Sequence, residues 1–377
     1  MASSVKPLQK ILFGSPGTGK SYKIRTIATE QLDIKLDETT KTLANTIKTV
    51  FHPEYTYADF MGKLLPHTQG GNVIYKFYPG HFLQALGNAY KSLMAGDSSH
   101  HLLVIDELNR GNAAAIFGTV FQLLDRESDH WSSYEVDLST LELMELFRIM
   151  NIKTTIEEDA IFISESKRQK IELFEYFSDA ELKSSLDKPS FARLAGLLKR
   201  SKISLPPNLS ILATINTSDE SIYYLDSAFK RRWSWEYIEA PSALSTVPDA
   251  IKDVVVVYNW EDTLNWKSCI IGMNEFIISN SHSIRRIEDK QIGWWFIKPE
   301  EKGYISIDQV QDKLMFYLWD NVFSKDRRPL EITISQYLSE PDLKLITFAD
   351  FIQYTEVLLQ YFHQLGYKEP QNYTIDF

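Results

Sequence analysis

Lys10-Ile11-Leu12-Phe13 reads as a short buried strand, and it runs directly into Gly14-Ser15-Pro16-Gly17-Thr18-Gly19-Lys20-Ser21. That turn fits the pattern GxxxxGK[ST], in which glycines free the backbone to aim its N–H groups inward at phosphate oxygens. A helix is expected from Tyr22 to Glu30, and its positive N-terminal end adds to the attraction for an anion. In such a loop Gly14 to Gly19 form the cradle, Lys20 sits on the β- and γ-phosphates and the Ser21 hydroxyl ligates Mg²⁺. A strand, a phosphate turn and a helix in this order demand an α/β fold with a parallel central sheet.

Two further strands carry polar residues at their ends. His101-Leu102-Leu103-Val104-Ile105 is apolar without helical periodicity, as a strand covered on both faces should be, and it ends in Asp106-Glu107. Asp106 is placed to hold the metal and Glu107 to act as general base on the attacking water; the plain alternative is a strand that merely ends in two acids. Leu209-Ser210-Ile211-Leu212-Ala213-Thr214-Ile215-Asn216 is a third strand, whose Asn216 would orient that water. Beyond it stand Lys230, Arg231 and Arg232. They read either as arginines reaching a neighbouring subunit's nucleotide or as cations at a helix C-terminus, favoured there by the helix dipole.

The order strand and phosphate loop, strand and Asp-Glu, strand and Asn, then paired arginines resembles the AAA+ ring motors. Within them the wording is similar to the McrB family of restriction motors. Phe51-His52-Pro53-Glu54-Tyr55-Thr56-Tyr57-Ala58-Asp59-Phe60, Asp106-Glu107-Leu108-Asn109-Arg110-Gly111-Asn112, Asn216-Thr217-Ser218-Asp219 and Gln291-Ile292-Gly293-Trp294-Trp295-Phe296 carry the likeness. The resemblance implies GTP hydrolysis with Mg²⁺, a hexameric ring of identical subunits and stimulation by a separate McrC-like nuclease. It also implies DNA handled through the ring or the partner, and a water positioned by Asn216 and Asp219. Four departures stand out: Glu220 where the family has arginine, the Trp294-Trp295 pair, Lys230 at the head of the basic triplet, and no expected room before Gly14 for a base-reading domain. The guanine-specifying [NT]KxD motif is absent, Ile34-Lys35-Leu36-Asp37 being its nearest approach, so ATP stays open beside GTP. An ATP-driven remodeller of proteins, similar to the MoxR ring motors, is the alternative function.

The expected organisation is a nucleotide-binding AAA+ core over 1–240 with an insertion at 130–205 before the Asn216 strand, a helical lid at 241–325 and a C-terminal extension at 326–377. Apolar spacing predicts insertion helices around Leu141 to Phe147, Ile171 to Phe177 and Phe191 to Leu198. The basic Lys199-Arg200-Ser201-Lys202 reads as a solvated helix end or a contact for DNA or a partner. Asp159 with Glu165-Ser166-Lys167 is only a faint likeness to a nuclease centre. The formal charge of −10 argues against a protein that coats phosphate backbones, so DNA would meet a local patch or another chain. A lone cysteine, Cys269, fits a reducing compartment, and the apolar runs are too short to cross a bilayer; the chain is expected to be cytoplasmic.

Overall fold

Continuous burial marks the central strands in the computed structural model, which describes residues 5–157, 160–166, 169–183, 189–216, 223–243, 247–258 and 262–367. Asp219, Asp159 and Lys167 lie outside the described residues. In chain order the first unit contains β1 (Gln9–Gly14), α1 (Lys20–Glu30), β2 (Thr46–Val50), a hairpin of β3 (Gly62–Gln69) and β4 (Asn72–Pro79), α2 (His81–Met94) and β5 (His101–Asp106). It continues with α3 (Thr140–Ile149), β6 (Thr154–Glu157), β7 (Ala160–Ser166), β8 (Gln169–Glu172), α4 (Leu173–Lys183), α5 (Pro189–Lys199), β9 (Leu209–Asn216), α6 (Ser227–Lys230) and β10 (Ser234–Tyr237). By packing this unit takes the chain up to residue 12, 21–215 and 220–236.

Its sheet has the order β10-β1-β9-β5-β2. β9 runs parallel to β5, with Leu209 opposite His101 through Ala213 opposite Ile105, and β2 runs parallel to β5 on the other side. Leu102 to Ile105 and Leu209 to Ile215 are all buried, which is why neither run alternates; burial relaxes only at Asp106 and Asn216, the carboxyl ends where ligands meet such sheets. The FHP-containing segment supplies core. Phe51 and Phe60 are fully buried, and Phe60 lies 4.8 Å from Phe117, which in turn meets Phe229 edge-on at 5.4 Å. Aromatic contacts of this kind add about 1 kcal/mol each beyond the burial of area.

The insertion contains the three expected helices, but also a three-stranded antiparallel sheet, β8-β7-β6, that periodicity did not suggest. Its basic stretch is neutralised locally. Arg200 forms a two-pronged pair with Glu135 at 2.8 Å on each side, Lys202 meets Asp137 at 3.0 Å, and Lys199 lies over the Phe174 ring. These contacts are what a solvated helix end would show.

The second unit takes residues 13–20, 216–219 and 237 onward. It is not purely helical: β11 (Val255–Val257) pairs antiparallel with β12 (Thr263–Asn265) and parallel with β13 (Tyr304–Ser306). α7 (Trp266–Ser279) is its central helix, with ten buried residues, and it needs covering on nearly every side. α8 (Arg328–Leu338) and α9 (Thr355–Tyr367) provide part of that cover: Leu330, Ile334, Leu358 and Phe362 share one buried cluster with Ile270, Met273 and Phe276. A Cβ on Gly272 would fall 1.9 Å from the Phe362 carbonyl oxygen, so α7 and α9 touch backbone to backbone. The expected break at 325 is thus not a packing boundary.

Candidate functional site

The phosphate-loop residues Gly14 to Lys20 belong to the second unit, and there they lean on the turn that holds the tryptophan pair. Gly293 N–H donates to the Pro16 carbonyl at 2.9 Å and Trp295 N–H to the Gly17 carbonyl at 2.9 Å. The approach is closer than any side chain permits: a Cβ on Gly293 would lie 2.1 Å from the Gly17 carbonyl carbon, and one on Gly17, at φ +75°, 2.5 Å from the Phe296 nitrogen. Asn274, buried in α7, fixes this turn by accepting from Ile292 N–H at 2.8 Å and donating to the Ile292 carbonyl at 2.9 Å.

With the Pro16 and Gly17 carbonyls engaged by that turn, those of Gly14 and Ser15 are also taken. Lys20 Nζ donates to Gly14 O at 2.8 Å and Ser15 O at 2.9 Å, and the Thr18 hydroxyl donates to Ser15 O at 2.9 Å. The N–H groups of Ser15, Gly17 and Gly19 have no backbone acceptor among the described residues, and the buried Ser15 Oγ has no partner there either. A loop with the carbonyls of Gly14 to Gly17 occupied and several N–H donors open suits an anion with many oxygens, as a nucleotide's phosphates are. The residues therefore fit the group that the sequence pattern implies.

The acidic end lies in the first unit. Asp106 closes β5, and its Oδ1 accepts a 2.9 Å hydrogen bond from the Thr214 hydroxyl on β9. Glu107 follows in the left-handed region, at φ 56° and ψ 44°, a conformation that costs a non-glycine residue about 1 kcal/mol. Three contacts hold it there: its N–H donates to Thr214 Oγ1 at 3.2 Å, its carbonyl accepts from Arg110 N–H at 2.9 Å, and its carboxylate meets Arg110 Nε at 3.4 Å. Strain of this kind turns the Glu107 side chain out of the strand's alternation. Ser21, exposed near the start of α1, and Asp106 are hard oxygen donors of the type Mg²⁺ prefers. Among the described residues no three His, Cys, Asp or Glu side chains cluster as a metal site. Mg²⁺ at nucleotide sites takes most of its ligands from water and phosphate, so it needs few side-chain donors.

The two arginines part company. Arg232 is an internal strut: its guanidinium meets Asp125 at 2.6 Å, donates to the Ala228 carbonyl at 2.9 Å and lies 4.1 Å over the Phe121 ring, with 9% of the side chain exposed. It is tied down within its own chain, which corrects its expected role as an arginine offered to a neighbour. Arg231, at the C-terminal cap of α6, is exposed, and its guanidinium bonds to no described residue. Asn216 ends β9, half-buried.

Thr214 and Arg110 escaped the reading of the sequence. Thr214 stands two residues before Asn216 and therefore shares its face of β9, so parallel pairing of the two strands would have drawn attention to it. Arg110 carried no signal beyond its place in a motif.

Residues 9–233 match the AAA domain (dynein-related subfamily), and the chain belongs to that family. It is a P-loop NTPase domain with a mixed α/β core. Its similarity to curated proteins points to restriction systems. It is 28% identical over 344 residues to the type II restriction enzyme BsuMI component YdiS of Bacillus subtilis (strain 168), covering 84% of this chain and 80% of that one. With the type IV methyl-directed restriction enzyme EcoKMcrB subunit of Escherichia coli (strain K12) it shares 25% identity over 187 residues, 48% of this chain and 36% of that protein. The likeness to McrB read from the short motifs is thereby borne out. No helix among the described residues is long and apolar enough to cross a membrane.

Proposed function

We propose that this chain is the nucleotide-hydrolysing motor of a restriction system, using GTP in preference to ATP and working in the cytoplasm. The observation that carries the hydrolase reading is the phosphate loop, whose carbonyls from Gly14 to Gly17 are engaged while the N–H groups of Ser15, Gly17 and Gly19 have no backbone acceptor among the described residues. In this reading Gly14 to Gly19 bind the phosphates and Lys20 neutralises the β- and γ-groups. Mg²⁺, held through Ser21 and Asp106, would offset the charge that develops on the transferred phosphoryl. Glu107 takes the proton of the attacking water, which Asn216 and Asp219 orient.

Arg231 is the residue offered to the nucleotide of a neighbouring copy, which calls for a ring of identical subunits, a hexamer by resemblance to McrB. The relatives' names, a component and a subunit of restriction enzymes, support work with a further chain; by resemblance to McrB that chain is a McrC-like nuclease that contacts the DNA. Nothing in the structure favours a MoxR-like protein remodeller over this. The nucleotide-binding core would span 1–240, and 241–377 would act as one lid.

Turnover of GTP and ATP by the purified protein, with and without the product of the adjacent gene, tests base choice and stimulation together. The expected result is GTP hydrolysis that rises when the partner is added. Preferential ATP turnover, indifferent to any nuclease, would remove the McrB-like assignment.

A further inference from the structure

We infer that Thr214 is a positioning residue that couples the metal-side carboxylate Asp106 to the general base Glu107 through one buried hydroxyl. The inference rests on the hydrolase reading above for its consequence in turnover, though not for its geometry. A threonine hydroxyl has a single proton and two acceptor sites. Here the proton goes to Asp106 Oδ1 at 2.9 Å, and one acceptor site takes the Glu107 N–H at 3.2 Å. The side chain is 4% exposed, so water does not compete freely for either bond.

The arrangement follows from the sheet. Parallel pairing puts Ala213 opposite Ile105, and the next step along both strands brings Thr214 beside Asp106. Glu107 leaves the strand at that point by turning left-handed, which removes its N–H from the ladder; an orphaned buried N–H is destabilising unless something accepts from it. Thr214 Oγ1 is that acceptor. The branched Cβ restricts its rotamer, so the hydroxyl is aimed without a further partner. One atom thereby fixes the carboxylate on the metal side and the backbone torsion from which Glu107 projects. Asn216 is two residues further along β9, on the same face, so the strand that carries the water-orienting amide also sets the base.

A purely structural threonine would be replaced by valine at a cost in stability and nothing else. The positioning role makes a different forecast for Thr214→Val and Thr214→Ser, compared with wild type in the full chain. Thr214→Val is expected to lower kcat by roughly 10- to 100-fold, the scale on which misplacing a catalytic group acts, with the nucleotide KM within about threefold. Thr214→Ser, which keeps the hydroxyl, should restore most of kcat. Amide hydrogen exchange over residues 105–110 should be roughly five to ten times faster in Thr214→Val and near wild type in Thr214→Ser.

Wild-type kcat in Thr214→Val, a serine variant no better than valine, or unchanged exchange at 105–110 would each overturn the proposal. A wild-type protein that turns over no nucleotide would sink the hydrolase reading instead. In that event the exchange measurement alone decides whether Thr214 holds Glu107.

Discussion

Adjacent arginines, Arg232 held within its own chain and Arg231 proposed to serve a neighbour's nucleotide, make a sharp forecast. Arg232→Ala should destabilise the fold, whereas Arg231→Ala should leave stability alone and abolish shared catalysis. For Arg232 the magnitude follows from its surroundings. Removing one member of a buried ion pair costs about 3 to 5 kcal/mol, but Asp125 keeps 32% of its side chain in solvent and can be rehydrated, which brings this share down to about 2 kcal/mol. Loss of the guanidinium from the Phe121 face adds about 1 kcal/mol. A total of about 3 kcal/mol corresponds to a fall in Tm of roughly 6 to 12 °C for a unit of this size.

Arg231, exposed and unpaired among the described residues, should shift stability by no more than about 0.5 kcal/mol. An arginine supplied in trans is worth roughly 10³ to 10⁵ in rate, so turnover by Arg231→Ala should fall toward background. The assay pairs thermal unfolding with nucleotide turnover, and adds a mixture of Arg231→Ala with Lys20→Ala subunits. Each should be inactive alone, and an interface between an intact Arg231 and an intact Lys20 should restore part of the rate. If Arg232→Ala melts like wild type while losing turnover, or if the mixture stays silent, the division of roles argued here is wrong.

Two other outcomes are expected. Gly293→Ala, whose methyl would press on the Gly17 carbonyl at 2.1 Å, should weaken binding of a fluorescent nucleotide by about tenfold or more while the far-ultraviolet circular dichroism stays unchanged; equal affinity would show that the turn does not shape the loop. The pH dependence of stability should carry a signature of His100. Burial, with lesser contributions from His101 and Arg126, lowers its pKa from 6.5 to about 4, and its Nε2 bonds to Ser210 Oγ. The unfolded chain therefore binds this proton first, stability declines as pH falls from about 6.5 to about 4, and the loss levels off below that at about 3 kcal/mol. Urea melts of wild type and His100→Gln across this range should diverge in slope, the variant being flatter; parallel slopes would refute the assignment.

Much of the proposed catalytic chemistry is legible in short stretches of chain. The phosphate loop announces itself because glycine and lysine spacing encodes a backbone shape that needs only neighbours in sequence. The strands at 101–106 and 209–216 are visible because full burial demands unbroken apolar runs. Insertion helices follow from the period of Leu143, Leu146 and Phe147 on one side and of Leu194, Leu197 and Leu198 on another.

What escaped was decided by partners remote in sequence. The β3–β4 hairpin leaves Leu64, Val73 and Tyr75 exposed, so no buried face gives its strands a period-2 signature. In the β6–β8 sheet, charged and polar residues interrupt the isoleucines, and only pairing between strands reveals it. Arg231 and Arg232 are identical letters side by side. Asp125 and Phe121, more than 100 residues upstream, make one of them a strut. Thr214 is an unremarkable strand residue until parallel register brings it to Asp106. The sequence by itself determined which chemical groups are present and the local backbone that presents them, since both depend on near neighbours. Which group is held in place was settled by tertiary packing, because hydrogen bonds and ion pairs are selected by distances that the folded chain alone defines.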